Sequence, residues 1–383
     1  MPLLLRDIMG KMPRPARAFL QSLAGSSEML DAEKVVRSIP EKWFDPALRG
    51  HVAGLAVIRP AGVEGYPFAE GFPPAFRREM HFARRHVYDL QYVTVNVRTG
   101  ACVAGSLYFQ ESYGSLRRCL LEKPFPVSAG HSLADSEAVT CVNAASYYHF
   151  LLEEVPRLLW ALNCHKGLSV LVHVSAPAYV VTILEKICAH HSVKLRIVQD
   201  EAIQASRYVF TQAEAYSGFV NSSDIELLRQ QFAGHGGAAS SGDKVYVSRQ
   251  GVTRSFDNEA EIASFLRESG FQVCAPEKLS FEAQIELFRN AAVIVAPHGA
   301  GLSNLLWCRP GTRVLEIFSA RHFNDCYARL SSQLKLPYAP LWSRETKGWG
   351  EVSLDQLAAF VAGGDPAGTF PGSGSAPAST PCR

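Results

Sequence analysis

The 383-residue sequence has little excess charge of either sign and no long apolar run. Its formal net charge is +2, so it lacks the strong basic field of a typical nucleic-acid-binding protein. The apolar runs fall short of the ~20 residues of a membrane-spanning helix, and the N-terminal run is too short for a signal peptide. We therefore expect a cytoplasmic protein. Basic residues interleaved with Leu and Phe in residues 1–25 leave peripheral contact with the inner face of a membrane open.

Paired metal or disulfide ligands are also missing. The chain has 9 cysteines, an odd number, and none of them forms a Cys-x-x-Cys pair. This argues against a disulfide framework and against a structural zinc site. An Asp-x-Asp motif, which holds a divalent ion in many enzymes that act on diphosphates, does not occur. The sequence therefore predicts no metal site and no resident cofactor.

The N-terminal third of the chain reads as an extension rich in β-structure. In Tyr92–Arg98 valines alternate with polar residues, and Thr99-Gly100 is a turn signal. Short apolar segments follow it, as in a β-meander. We assign residues 1–128 to this extension.

The rest of the chain alternates between helix and strand. Residues 129–235 contain the apolar helical stretch Tyr148–Cys164, then a strand, a helix and a further strand, as in a βαβ-type domain. A Gly/Ser-rich stretch at 234–242 predicts a linker. Residues 243–345 read as a second domain with an open parallel sheet. A C-terminal helix is expected at 346–362 and a disordered tail at 363–383.

The segment Pro297-His298-Gly299-Ala300-Gly301 follows the buried apolar strand Ala291–Ala296 and opens a helix. Ligands of open α/β sheets bind at the carboxyl ends of strands. Glycines at such a turn let backbone N–H groups approach a diphosphate, to which the helix N-terminus and a His also offer hydrogen bonds. Two familiar phosphate motifs are excluded, because Asn304 stands where a dinucleotide fingerprint needs its third Gly and a Walker A lysine is missing. A purely structural tight turn is the alternative.

Two arginines, Arg249 and Arg254, lie just beyond the strand Lys244–Ser248. Their always-charged guanidinium groups suit phosphate oxygens, although surface ion pairs are an equally ordinary use.

In the helix that begins near Tyr148, His149 and Glu153 are spaced i and i+4 and so share a face. Such a pair can act as an acid–base couple, although most His–Glu pairs are structural.

Together these segments resemble glycosyltransferase family 61, which includes bacterial capsular-polysaccharide enzymes and eukaryotic xylosyl- and N-acetylglucosaminyltransferases. The resemblance runs from about residue 88 to 345. It is carried by the following motifs in order: Tyr148-His149-Phe150, Glu153, Pro156-Arg157, Ser248-Arg249, Pro297–Leu302, Pro310-Gly311 and Glu316-Ile317.

The resemblance implies an α/β, GT-B-like fold, with two Rossmann-like domains facing across a cleft and the N-terminal extension added. It implies an inverting, metal-independent transfer of a sugar from a nucleotide donor, with UDP expected, to a glycan, polysaccharide or lipid-linked saccharide. A role in capsule or surface polysaccharide synthesis would follow. The implied donor-binding residues are Arg249, Arg254, His298, Gly299, Ala300, Gly301, Leu302 and Glu316, the last of these accepting hydrogen bonds from the ribose or base.

The catalytic base is expected on the acceptor side, with Glu153 as first candidate, His149 second and Asp257 third. A non-catalytic protein that binds nucleotide sugars or glycans with the same fold is the alternative function. A hydrolase is disfavoured, because the chain contains no Gly-x-Ser-x-Gly nucleophile elbow.

Overall fold

A computed structural model of the protein describes residues 52–66, 68, 76–104, 107–108, 131–132, 138–143, 146–200, 202–214, 218–234, 242–251 and 254–364. The expected membrane contact of residues 1–25 lies outside this part of the chain, as do almost all of the linker 234–242 and of the tail 363–383. The chain divides into two compact units. Unit 1 takes its residues from before 61, from 84–144 and from 157–216. Unit 2 takes 61–83, 145–156 and the chain from 217 onward.

Unit 1 is built on a mixed sheet of nine strands, in which β1 and β7 pair beside a main path of order β10-β9-β8-β11-β4-β5-β6. The strands are β1 Val52–Arg59, β4 Arg85–Asn96, β5 Cys102–Ala104, β6 Leu107–Tyr108, β7 His131–Ser132, β8 Ala138–Cys141, β9 Ser169–His173, β10 Lys194–Val198 and β11 Ala202–Thr211. Pairing is parallel among β7 to β11 and antiparallel between β11 and β4 and around β4.

The β-meander is confirmed in its middle, where β4 turns at Gly100 into β5. Gly100 has φ of 73°, a value that favours glycine, and this turn reverses the chain. The meander and the βαβ part lie in one sheet, because β11 pairs with β4 on one side and with β8 on the other. The sheet therefore joins strands from both sides of the boundary expected at residue 128. Local patterning could not show this, since the joining contact is a long-range strand pairing.

Unit 2 contains a five-stranded parallel sheet of order β13-β12-β14-β15-β16 and a separate hairpin. The strands are β2 Gly62–Gly65 and β3 Glu79–Phe82 in the hairpin, and β12 Asp243–Val247, β13 Gln272–Cys274, β14 Ala291–Pro297, β15 Arg313–Phe318 and β16 Tyr338–Trp342 in the sheet. The parallel sheet expected for residues 243–345 is confirmed, and the protein is of mixed α/β class.

Helices complete both units. They are α1 Tyr147–His149, continued by the π-helix Phe150–Glu154 and by α2 Val155–Cys164, then α3 Ala178–His191, α4 Ser222–Gln231, α5 Glu259–Glu268, α6 Phe281–Asn290, α7 Cys326–Gln333 and α8 Leu354–Val361, with 3₁₀-helices at Pro276–Lys278 and Ala300–Trp307. The segment predicted as one helix from Tyr148 is thus helical throughout, but its middle is wound more loosely than an α-helix.

The chain reverses direction across the parallel sheet between β12 and β14. After β12 it crosses α5 to β13 on one side, and after α6 it returns to β14 on the other side of β12. A reversal of this kind is a topological switch point, and open α/β sheets bind their ligands there, beyond the carboxyl ends of the strands. The segments that follow β12 and β14 carry Arg249 and His298.

Asn258 directly precedes the first residue of α5. Asn258 makes no side-chain hydrogen bond to its own helix. Its amide instead donates to the carbonyl oxygen of Val352 at 2.9 Å and accepts from the Val352 N–H at 3.0 Å. Pairing with a distant extended segment satisfies both polar groups of a buried amide, which a cap would not do.

Candidate functional site

His298 directly follows β14, the central strand of the parallel sheet. Its imidazole is held on several sides, and its side chain is only 10% exposed. Nδ1 makes a 2.5 Å hydrogen bond with Glu316 Oε1. The ring stacks on Phe318 with 5.5 Å between centroids and contacts the ring of Tyr327 at 5.4 Å. A ring that donates Nδ1–H to the carboxylate presents Nε2 to the site, where the protonated ring can donate a second hydrogen bond.

The turn after His298 is shaped by a close approach of Arg249. Gly299 is extended, with φ of 171°, so its backbone conformation alone does not require glycine. A Cβ at this position would collide with Nη1 of Arg249. The same Nη1 donates to the carbonyl oxygen of His298 at 2.7 Å. The next residue, Ala300, begins the 3₁₀-helix, in which Gly301 lies against Val247 and Leu302 is buried.

Burial and the nearby Arg254 lower the pKa of Arg249, with burial the larger cause. A positive group whose charged form is disfavoured in this way gains from an anion placed beside it. Arg254 itself is exposed, and its guanidinium lies 5.9 Å from the ring centroid of Trp349. Arg249 and Arg254 therefore both contribute positive potential at the carboxyl end of β12.

A buried carboxylate, Glu259, fixes the backbone of this segment. Its Oε1 accepts hydrogen bonds from the Tyr246 hydroxyl at 2.8 Å, the Ser248 hydroxyl at 2.8 Å and the Arg249 N–H at 2.9 Å. Burial, reinforced by the charge of Glu259, raises the pKa of Tyr246 and keeps it a donor. Sequence reasoning missed Glu259, because an acidic residue in the first turn of a helix is ordinary. The available signal was the pair Tyr246 and Ser248, whose hydroxyl groups lie on the same face of β12 and need a common acceptor.

Glu316, expected to contact the ribose or base of the donor, lies at the junction of His298 and Tyr338. It is fully buried, and its second oxygen, Oε2, accepts from the Tyr338 hydroxyl at 2.5 Å. With Oε1 bound to His298, both carboxylate oxygens are engaged by protein groups. The contact of Glu316 with the ribose or base stays a prediction, and within the protein its carboxylate orients His298. The reason is that Glu316 lies in the interior of β15, whereas its neighbour His298 lies beyond the end of β14.

Asp257, the third candidate base, is exposed but tied to a loop. Oδ2 accepts from the Thr346 hydroxyl at 2.5 Å, and Oδ1 accepts from the Trp349 N–H at 3.1 Å. Both oxygens therefore stabilise the loop that carries Trp349, beside Arg254.

His149 and Glu153 form the pair predicted from their spacing. His149 Nδ1 and Glu153 Oε2 are 2.9 Å apart, and the two side chains are 11% and 17% exposed. Glu153 Oε1 accepts from the Gly218 N–H at 2.7 Å. The carboxylate is thereby held between a backbone donor and the imidazole, which fixes the orientation of the ring. The pair spans the start of the π-helix, a form of winding that is frequent at functional sites.

Unit 2 contains the His149–Glu153 pair as well as the turn at His298, although the sequence assigned the pair to the preceding domain. Side-chain contacts join them. The Tyr147 hydroxyl donates to Asn304 Oδ1 at 2.9 Å in the 3₁₀-helix. The ring of Tyr148 meets the ring of Tyr327 at 5.5 Å, and Tyr327 contacts His298. Asn304 and Tyr327 were not recognised in the sequence, because an Asn in a helix and a Tyr in an amphipathic helix have no distinctive spacing.

The described ranges also bear on two other classes of site. No group of three or more His, Cys, Asp or Glu side chains in them is arranged to hold a metal ion. None of the helices there is long and apolar enough to cross a membrane.

Comparison with known proteins finds a family whose match covers most of this site. The model of the family described as Glycosyltransferase 61 matches residues 147–315, which include the His149–Glu153 pair, Arg249 and the turn at His298. A search of curated proteins found no match. The family match indicates glycosyltransferase activity in general, with a nucleotide-sugar donor and a glycan acceptor as the general substrate classes. Over residues 147–315 the chain is thus a match to glycosyltransferase family 61, as its motifs predicted.

Proposed function

We propose that the protein is an inverting glycosyltransferase that moves a sugar from a UDP donor to a glycan or polysaccharide acceptor. The observation that carries the proposal is the pairing of Arg249 with the His298 turn at the switch point of a parallel sheet. This is where open α/β sheets bind ligands, and the chemistry of the groups present is that of an anion site.

The diphosphate of the donor would lie against Arg249, the ring of His298 and the first N–H groups of the 3₁₀-helix at Ala300. As the bond from the anomeric carbon to the diphosphate breaks, its electron pair passes to the leaving oxygen. The fixed positive groups stabilise that charge without rearrangement. Since Arg249, Arg254 and the backbone supply this stabilisation, we propose that turnover needs no metal ion.

The attacking acceptor hydroxyl must lose its proton as the new bond forms. The geometry favours His149 as the base, with Glu153 as its positioning residue, over the order expected from sequence. Glu153 accepts from both His149 and the Gly218 N–H, which suits a carboxylate that orients an imidazole. The neutral ring that donates from Nδ1 keeps a basic Nε2 for the acceptor's proton, and the nucleophile attacks opposite the leaving group, inverting the anomeric centre.

The parallel sheet of unit 2 supports its assignment as a Rossmann-like donor domain, and the GT-B-like class of the fold belongs to the same proposal. The cytoplasmic location, the contact of residues 1–25 with a membrane surface and the role in surface polysaccharide synthesis belong to the same proposal.

A thermal-shift panel tests the donor site. UDP, GDP, CMP, ADP and NAD⁺ are each added to the full chain in EDTA, and to an Arg249→Ala variant as the matched control. We expect UDP to raise the Tm of the wild type and not that of the variant, since only a ligand that binds the folded chain stabilises it. The absence of a shift with every nucleotide would contradict the proposed function.

A further inference from the structure

The imidazole of His322 adjoins the proposed diphosphate site and has a different environment from the other two histidines there. Its ring centroid lies 5.2 Å from that of His298 and 6.3 Å from that of Trp349. His149 and His298 each face a glutamate. For His322, no side-chain hydrogen bond to either ring nitrogen is found within the described residues.

The charges around His322 are mostly positive. Its pKa is lowered to about 4, first by burial and then by His298, Arg254 and Arg249. A half-buried imidazole that faces three cationic or proton-binding groups is kept neutral by them, and a bound anion would reverse that balance.

The acidic groups on the same elements are already committed to other donors. Glu345 pairs with Arg321 at 3.2 Å. Asp257 accepts from Thr346 and from the Trp349 backbone. Tyr327, on α7, contacts the His298 ring. Glu316 is held by His298 and Tyr338, and Glu259 accepts from the Arg249 N–H. None of these carboxylates is among the groups that shift the pKa of His322, so an anionic ligand would supply a charge that the described residues do not place against this ring.

We propose that His322 is a further residue of the donor site, which takes up a proton from solvent as the diphosphate binds and then donates a charged hydrogen bond to it. This inference rests on the proposed function, because it concerns the same diphosphate. It identifies His322 as the residue that makes donor binding depend on pH. The donor would bind more tightly in mildly acidic solution than in neutral solution.

The size of the effect follows from linkage. If the bound diphosphate returns the pKa of His322 from about 4 to its ordinary value of 6.5, affinity should be about tenfold higher at pH 5.5 than at pH 7.5. The affinity gain ends near pH 4, where the ring is protonated with or without ligand.

The test is titration calorimetry of UDP with the full chain at pH 5.5 and 7.5, each in two buffers that differ in ionisation enthalpy. The dependence of the measured heat on the buffer gives the number of protons taken up. His322→Asn is compared with wild type, and His190→Asn, which changes an exposed histidine of unit 1, is the matched control. UDP's own phosphate titration is common to all three proteins and cancels in the comparison.

We expect wild type and His190→Asn to take up more protons at pH 5.5 than His322→Asn, and to gain several-fold more affinity on acidification. Equal proton uptake by His322→Asn and wild type would overturn the inference while leaving the donor site intact. A wild type that binds neither UDP nor any other nucleotide at either pH would overturn the proposed function itself. An His298→Asn variant that abolishes the extra uptake while His322→Asn keeps it would assign the proton to His298 instead, and so also contradict the inference.

Discussion

Arg249 occupies the space that a side chain on residue 299 would need. Its Nη1 both donates to the His298 carbonyl oxygen and lies within collision distance of a Cβ built on Gly299. Since the φ of Gly299, 171°, is open to any residue, glycine is required here by the arginine and not by the turn. Gly299 of the His298 turn and Arg249 after β12 therefore depend on each other sterically.

A methyl group at position 299 should weaken donor binding without unfolding the chain. Gly299→Ala forces the guanidinium away from His298, and we expect UDP affinity to fall about tenfold or more, as for loss of a charge-assisted hydrogen bond. The Tm should stay near that of wild type, because Arg249 can move into solvent. Gly62→Ala, at a glycine with nothing within 4 Å of a new Cβ, is the control. Affinity unchanged in Gly299→Ala by calorimetry would contradict this account.

The same relationship predicts strong coupling between the two positions. Arg249→Ala should itself weaken UDP binding by about tenfold or more, because it removes the cation nearest the turn. Adding Gly299→Ala to Arg249→Ala should then cost almost nothing, since the collision is gone. Arg267→Ala, an exposed arginine of α5, serves as the control for loss of charge. Additive losses in the double variant would show that the two residues act independently.

The sequence was sufficient for features that are local. The helical stretch Tyr148–Cys164 and the strands Ala291–Ala296 and Lys244–Ser248 were placed to within one residue, because their apolar pattern specifies them directly. The His149–Glu153 contact followed from spacing alone, and it survives in a π-helical segment because the two residues remain on neighbouring faces.

Features that depend on distant parts of the chain could not be read in this way. The pairing of β11 with β4 joins two regions that the sequence separated. Glu316 was recognised as a site residue, yet its partners His298 and Tyr338 come from the adjacent parallel strands, whose register no local pattern specifies. The sequence identified residues with suitable chemistry. Only the fold distinguishes a residue that faces the site, such as His298, from a residue that orients it, such as Glu316.

Glu316 should prove essential for orienting His298. Glu316→Gln places an amide between two donors, and we expect a lower Tm and loss of UDP binding because one buried donor must lose its acceptor. Tyr338→Phe removes only the second donor, which should cost about 1–3 kcal/mol of unfolding free energy while His298 stays paired. Chemical unfolding and calorimetry of both variants, with the exposed Tyr92→Phe as control, measure these effects. Full UDP affinity in Glu316→Gln would show that His298 needs no orienting partner.

His322 should make the stability of the nucleotide-free protein depend on pH. Its pKa is about 4 in the folded chain and near 6.5 when unfolded, so the unfolded chain binds the proton preferentially. The stability it contributes is complete above pH 6.5 and is lost as the pH falls toward 4. We expect the Tm of wild type to fall more steeply between pH 7 and 4.5 than that of His322→Asn. Parallel curves for the two proteins would mean that the folded imidazole titrates normally.

The His149–Glu153 pair distinguishes an enzyme from a binding protein of the same fold. If His149 takes the acceptor's proton, His149→Ala should lower kcat by about 10²–10⁴-fold with little change in the KM for the donor, since the donor contacts lie at Arg249 and His298. Glu153→Gln should lower kcat less than His149→Ala does, because the amide still accepts a hydrogen bond from one neighbour. It should still lower kcat, because the amide no longer carries the charge that stabilises a protonated His149.

The measurement is release of UDP from a UDP-sugar in the presence of a saccharide acceptor, with exposed His81→Ala as control. Variants of both residues that turn over at the wild-type rate would remove the pair from catalysis. A wild type that binds UDP tightly yet releases none from any donor would favour the non-catalytic alternative, since it would show that this chain keeps the anion site without the chemistry.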